Sequence, residues 1–145
     1  MIRKLSVVLT LAALISLGGC KDPYGAAVKA AADIGTGIAQ GMKTVDSIRQ
    51  QGLITPAEES NVLDYLEFAN KADEAFQSCV DTAHTSGSKA GSFTACATAF
   101  NTSLNNPTEL ALLHVANTTA SQNITTIING ITTGVNAIIA GLGGA

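Results

Sequence analysis

The chain has no tryptophan, and with four phenylalanines and two tyrosines among 145 residues its aromatic content is 4%. A core of this composition must be built from Ala, Val, Ile and Leu, and elements lined by such small side chains approach closely. Charge is scarce too, at 13% of residues, with 8 Lys and Arg against 11 Asp and Glu. There is no basic patch to release counterions from phosphates, so no nucleic-acid partner is expected. Signatures of catalysis are missing as well: no Gly-rich phosphate loop, HExxH, Gly-x-Ser-x-Gly or CxxCH occurs. His84 and His114 fall on different predicted helices, and neither has the Glu three residues earlier that a di-iron bundle requires. Ser and Thr abound, but a nucleophile needs an oriented base. The chain reads as a non-enzyme, with no metal and no other cofactor.

What is present begins with the leader. Arg3 and Lys4 precede an apolar stretch from Leu5 to Leu17, which ends in Leu17-Gly18-Gly19-Cys20. The stretch is shorter than the roughly 20 residues that span a bilayer, so it reads as a signal segment rather than a membrane span. The arrangement resembles the lipobox of bacterial lipoprotein precursors. That resemblance implies a diacylglyceryl thioether on Cys20, cleavage before it, and acylation of the new amino group by a fatty acid such as palmitate. Residues 1–19 would be the signal peptide, 20–24 a lipidated tether and 25–145 the folded domain. Several acyl chains anchor stably, since each buried methylene contributes about 0.8 kcal/mol. In enteric lipoproteins, Asp directly after the cysteine retains the protein in the inner membrane. Here that place is Lys21, which implies the outer membrane, facing the periplasm; in a host with one membrane the domain would stand outside the cell. Loss of the leader makes the net charge of −3 more negative by two.

Of the three cysteines, lipidation uses Cys20 and leaves Cys79 and Cys96. An even pair in an oxidising compartment is expected to form a disulfide. The turn-forming stretch 85–91 between them lets two helices fold back on each other. A redox or zinc role is disfavoured, because the pair lacks CxxC spacing and no His or Cys cluster completes a metal site.

Apolar spacing is helical almost throughout, which predicts an all-α fold. A first helix over 24–51 places Val28, Ala31, Ile34, Ile38, Met42, Val45 and Ile48 on one face and stops at Gly52. Thr55-Pro56-Ala57-Glu58 has the parts of a capping box with proline in the first turn, so a second helix starts there. It buries Val62, Leu66, Ala69, Ala72, Phe76, Cys79, Val80 and Ala83. Ser92 caps a short third helix carrying Phe93, Cys96, Ala97, Phe100 and Leu104. Asn106-Pro107-Thr108-Glu109 repeats the cap-proline-glutamate arrangement and starts the longest helix, which runs to the closing glycines. The expected architecture is a small antiparallel helical bundle of three long helices and one short one, stapled by one disulfide. Glycines spaced by four, Gly37 with Gly41 and Gly130 with Gly134, are expected to let the first and last helices pack closely.

Two features bear on function. The second helix carries Glu58, Glu59, Asp64, Glu67, Asp73, Glu74 and Asp81 against one base, Lys71, and Asp64, Glu67 and Glu74 form the expected contact face for a basic envelope protein. From residue 110 to the end there is no Asp, Glu, Lys or Arg, only His114. Burial of this helix in the bundle or in a homo-oligomeric interface is expected, because Asn129, Asn136 and its threonines are expensive in hydrocarbon. Membrane insertion and an extended, aggregation-prone tail are the alternatives. The functional expectation is a membrane-anchored envelope lipoprotein with a non-catalytic binding or structural role. Its alternatives are a carrier of a small apolar ligand between the helices and a protein acting on membranes through the uncharged C-terminal helix.

Overall fold

The computed structural model describes residues 22–87 and 90–143. The signal segment 1–19, the lipidation residue Cys20 and Lys21 of the tether lie outside the described residues. Those described form helices α1 (Pro23–Gln50), α2 (Pro56–Thr85), α3 (Ala90–Leu104), a single turn α4 (Pro107–Leu110), a 3₁₀ turn (Ala111–Leu113) and α5 (Thr118–Gly143), with no strand among them.

The helix starts follow from local chemistry. The Asp22 carboxylate accepts the Tyr24 N–H at 3.1 Å, and Pro23 occupies the first turn, where no donor is needed. Between α1 and α2, Gly52 adopts φ 72°, the left-handed conformation that a side chain would disfavour. The capping box closes in both directions: Thr55 Oγ1 accepts the Glu58 N–H at 3.2 Å, and Glu58 Oε2 accepts the Thr55 N–H at 2.8 Å. Thr55→Ala is expected to lower the stability of the domain by about 1 kcal/mol in urea denaturation.

Buried positions step alternately by four and three. In α1 one such series is Ala27, Ala31, Ile34, Ile38, Gly41, Val45 and Ile48, with Ala30 and Gly37 buried beside it; in α2, Val62, Leu66, Ala69, Asp73, Phe76 and Val80, with Tyr65 beside it; in α3, Phe93, Ala97, Phe100 and Leu104, with Cys96 beside it. In α5 the series is Ala120, Ile124, Ile127, Ile131, Gly134 and Ile138, with Ile127 half-buried. This is the spacing of helices that lie nearly parallel to their neighbours and interlock side chains along a seam. Accordingly α1 packs along α2 and α5, and α3 packs along the same two helices. The scarce aromatics sit in this core: Phe76 stacks on Phe100 with centroids 5.6 Å apart, and buried Tyr65 donates its hydroxyl to the Leu104 carbonyl at 3.1 Å. Tyr65→Phe leaves that carbonyl, at the end of α3, without its donor and should cost about 1 kcal/mol.

The disulfide joins Cys79 of α2 to Cys96 of α3, with Cα atoms 5.8 Å apart. Cys96 is buried but Cys79 is exposed, contrary to its expected place in the core. Val28, expected on the inner face of α1, is 42% exposed, and the seam takes Ala27 in its place. The third helix begins at Ala90, ahead of the expected Ser92 cap.

The last helix differs most from expectation. Asn106 caps α4 by accepting the Thr108 N–H at 2.9 Å, but the helix does not continue. His114 turns extended, Val115 enters the core, and the Ala116 N–H donates to Glu58 Oε1 at 2.7 Å. Asn117 then starts α5 afresh, accepting the Ala120 N–H at 3.0 Å. The break is held by tertiary contacts: one carboxylate, Glu58, serves both the α2 cap and this corner.

Candidate interaction surface

The outward face of α2 is built by the i, i+3, i+4 spacing of a helix whose other side is buried. Asp64, Glu67, Lys71 and Glu74 are all exposed on it. Lys71 Nζ lies 2.9 Å from Glu67 Oε1, an exposed pair that contributes little to stability, and Glu67 holds the lysine above its ordinary pKa. The Asn70 amide donates to Glu74 Oε1 at 3.1 Å.

The face is narrower than the sequence implied. Glu59 pairs with Arg49 of α1 at 3.5 Å, and Glu58 is taken up in the cap and corner. The three N–H and O–H groups around Glu58, those of Thr55 first, hold its pKa below the usual carboxylate range. Asp73 points inward instead. It is 2% exposed, accepts one hydrogen bond from the Gln77 amide at 3.0 Å, and leaves Oδ1 buried with no partner. Its Oδ2 sits 3.3 Å from where a Cβ on Gly35 would be, so this small residue of α1 makes room for it. Burial pushes its pKa up to about 6, and neighbouring Glu74 adds to the rise.

Toward its C-terminus the outer face of α2 continues through Glu74, Gln77, Ser78, Asp81, Thr82 and Thr85, all exposed. The start of α1 is fastened beside it: the Tyr24 hydroxyl donates to Asp81 Oδ1 at 3.0 Å, and the Tyr24 ring stacks on His84 at 3.7 Å, 11° from parallel. Asp22, two places after Cys20, therefore caps a helix whose start is clasped to the end of α2.

Of the glycines singled out for packing, Gly37, Gly41 and Gly134 are buried and Gly130 is half-buried. At Gly41 the reason is direct: Ile127 Cγ2 of α5 lies 2.8 Å from where a Cβ would stand. The α1–α5 seam is filled there by an isoleucine and leaves no gap at that point. Gly41→Ala forces Ile127 or the helices to shift, and a loss of about 1–3 kcal/mol is expected in thermal or urea unfolding.

Two features lie outside what the apolar spacing suggested. Asp73 occupies a seam position, four after Ala69 and three before Phe76, and that register would have flagged it in the sequence. The second is a seven-residue repeat in α5, TTASQNI-TTIINGI-TTGVNAI, visible on comparing the sequence with itself. Its isoleucines, Ile124, Ile131 and Ile138, are buried, whereas Gln122, Asn129, Asn136 and most of the threonines are exposed. By length and composition α5 is also able to cross a membrane, with 28% of the relevant window buried. Among the described residues no group of three or more His, Cys, Asp or Glu is placed to hold a metal ion. The sequence matches no protein-family model, no curated protein and no solved structure.

Proposed function

We propose that this protein is a lipid-anchored lipoprotein of the cell envelope, held through Cys20 to the outer membrane on its periplasmic side, whose small antiparallel helical bundle binds or braces another envelope protein without catalysis. The observation that carries the anchor is Leu17-Gly18-Gly19-Cys20 closing a basic and then apolar leader. The packing of α1 and α3 each against α2 and α5 supports the bundle. The exposed carboxylates Asp64, Glu67 and Glu74 supply the contact face, and a partner of net positive charge fits it.

The clasp of Tyr24 on Asp81 and His84 gives this reading a spatial form. It holds Tyr24, four residues after the proposed anchor at Cys20, against α2, the helix that carries the proposed contact face. Glu67→Lys with Glu74→Lys should abolish capture of the partner by the tagged protein in crosslinked native membranes, with the melting curve unchanged. Capture that survives the double reversal moves the contact off this face.

A further inference from the structure

The charges of this molecule are segregated. Helices α1 and α2 carry acids and bases along their length, whereas α3 and α5 contain no Asp, Glu, Lys, Arg or His. Since α3 packs along α5, their outer sides form one uncharged wall. Protein surfaces are ordinarily about a quarter or more charged, and loss of charge is the compositional mark of an interface centre.

The wall is also periodic in a way the interior does not require. Burying α5 needs apolar residues at two places in seven, which Ile124, Ile131 and Ile138 and their companions provide. Nothing in the core demands that Thr118, Thr125 and Thr132 recur outside it at the same interval, or Gln122, Asn129 and Asn136 beside them. Seven residues rise about 10.5 Å along a helix, so the repeat is a regular spacing on a long surface. A partner that reads it in register must present the same interval. A second α5 does.

We infer that the α3–α5 wall is the surface through which two copies of this chain associate. Charge fits that occupant: wall meets wall without repulsion, and the acidic faces of the two copies point away from each other. Area fits as well. The 26 residues of α5 extend about 39 Å and the 15 of α3 about 22 Å, with helices spaced about 9 Å, giving on the order of 600 Å². That reaches the roughly 600 Å² per partner at the lower end of specific interfaces. The threonines lower the cost of covering it. Thr98, Thr102 and Thr126 donate their hydroxyls to carbonyls four residues earlier at 2.9, 3.0 and 2.8 Å, so these donors are already used when water leaves.

The matching interval requires α5 on α5, which a twofold axis crossing the helices provides with the two copies antiparallel, and Asn129, near the middle of α5, then meets its own copy. The test is oxidative crosslinking of full-length Asn129→Cys in its native membranes, with Asp64→Cys on the charged face as the comparison. A covalent homodimer from position 129 and none from 64 is the expected result. Equal dimer from both positions, a crosslink from 129 only to a different component, or no crosslink at all overturns the inference. Sedimentation of the purified full-length protein gives a second reading: Thr125→Glu with Asn129→Glu, melting as the parent does, should weaken self-association at least tenfold. A parent that is monomeric at all concentrations overturns it equally.

Discussion

Replacing Asp73 by Asn should remove most of the pH dependence of stability between about pH 4 and 7. An aspartate in the unfolded chain titrates near 3.9, whereas burial in the α1–α2 seam pushes Asp73 up to about 6. The folded state therefore holds a proton that the unfolded state gives up. Stability from this group is fully present below about pH 4 and is lost as pH rises through 6. The difference between these two values corresponds to about 3 kcal/mol, a large share of the stability of a small domain. Lacking an ionisable group, the Asp73→Asn variant escapes that loss. Its urea midpoint should approach or fall below that of the parent at pH 4, because the amide brings a donor to the site of the unpartnered Oδ1, and exceed it at pH 8. Parallel stability curves for the two proteins across this range would mean that the folded domain holds no proton on Asp73. Glu58 works in the opposite direction. Its lowered pKa gives stability above the ordinary carboxylate range that is lost as pH falls through its folded value, so the difference between variant and parent isolates Asp73.

Removing the disulfide is the second large perturbation. Cys79 and Cys96 are separated by 17 positions, and closing a loop of that size in the unfolded chain is worth about 3 kcal/mol on the entropic account. The two ends respond differently to substitution. Cys79 is exposed, so serine is tolerated there; Cys96 is 3% exposed in the core, and serine would bury a hydroxyl in its place. Cys79→Ser with Cys96→Ala should thus report the crosslink itself, with a drop of about 3 kcal/mol in urea denaturation, and reduction of the parent should match it. Because α3 is short and its N-terminal half is tied to α2 by this bond, hydrogen exchange in α3 should rise most. Uniform acceleration across all helices would place the effect in the unfolded state alone.

Much of the helical pattern was legible because it rests on local rules. The capping box at Thr55 and Glu58, the stop at Gly52 and the cap at Asn106 each follow from side chains within a few residues, and the structure realises all three. The apolar positions of α3 were readable for the same reason. The break between α4 and α5 was not, since it depends on Glu58, 58 residues away in sequence, accepting the Ala116 N–H. Local chemistry shares in it, since Asn117 caps the new start by accepting the Ala120 N–H, and Val115, Thr118 and Thr119 are weak helix formers. The buried place of Asp73 follows from its register, four after Ala69 and three before Phe76, although its charge suits a surface. The side of α2 that carries Glu67 and Glu74 was legible from helical spacing. The clasp of Tyr24 against Asp81 and His84 was not, because the two segments are 57 residues apart. Gly41 shows the middle case: the sequence suggested a close approach of α1 to the last helix, and only the structure names Ile127 as what fills the space.

Everything proposed for this protein begins with Cys20 as the lipidated first residue of the mature chain. Intact-mass and N-terminal peptide mass spectrometry of the protein extracted from its native membranes tests it directly. The expected product is a chain that begins at Cys20 and carries diacylglyceryl on sulfur and an acyl group on nitrogen, with the Cys20→Ser form left unprocessed. A mature chain that begins elsewhere, or one that begins at an unmodified Cys20, would overturn the proposed anchor.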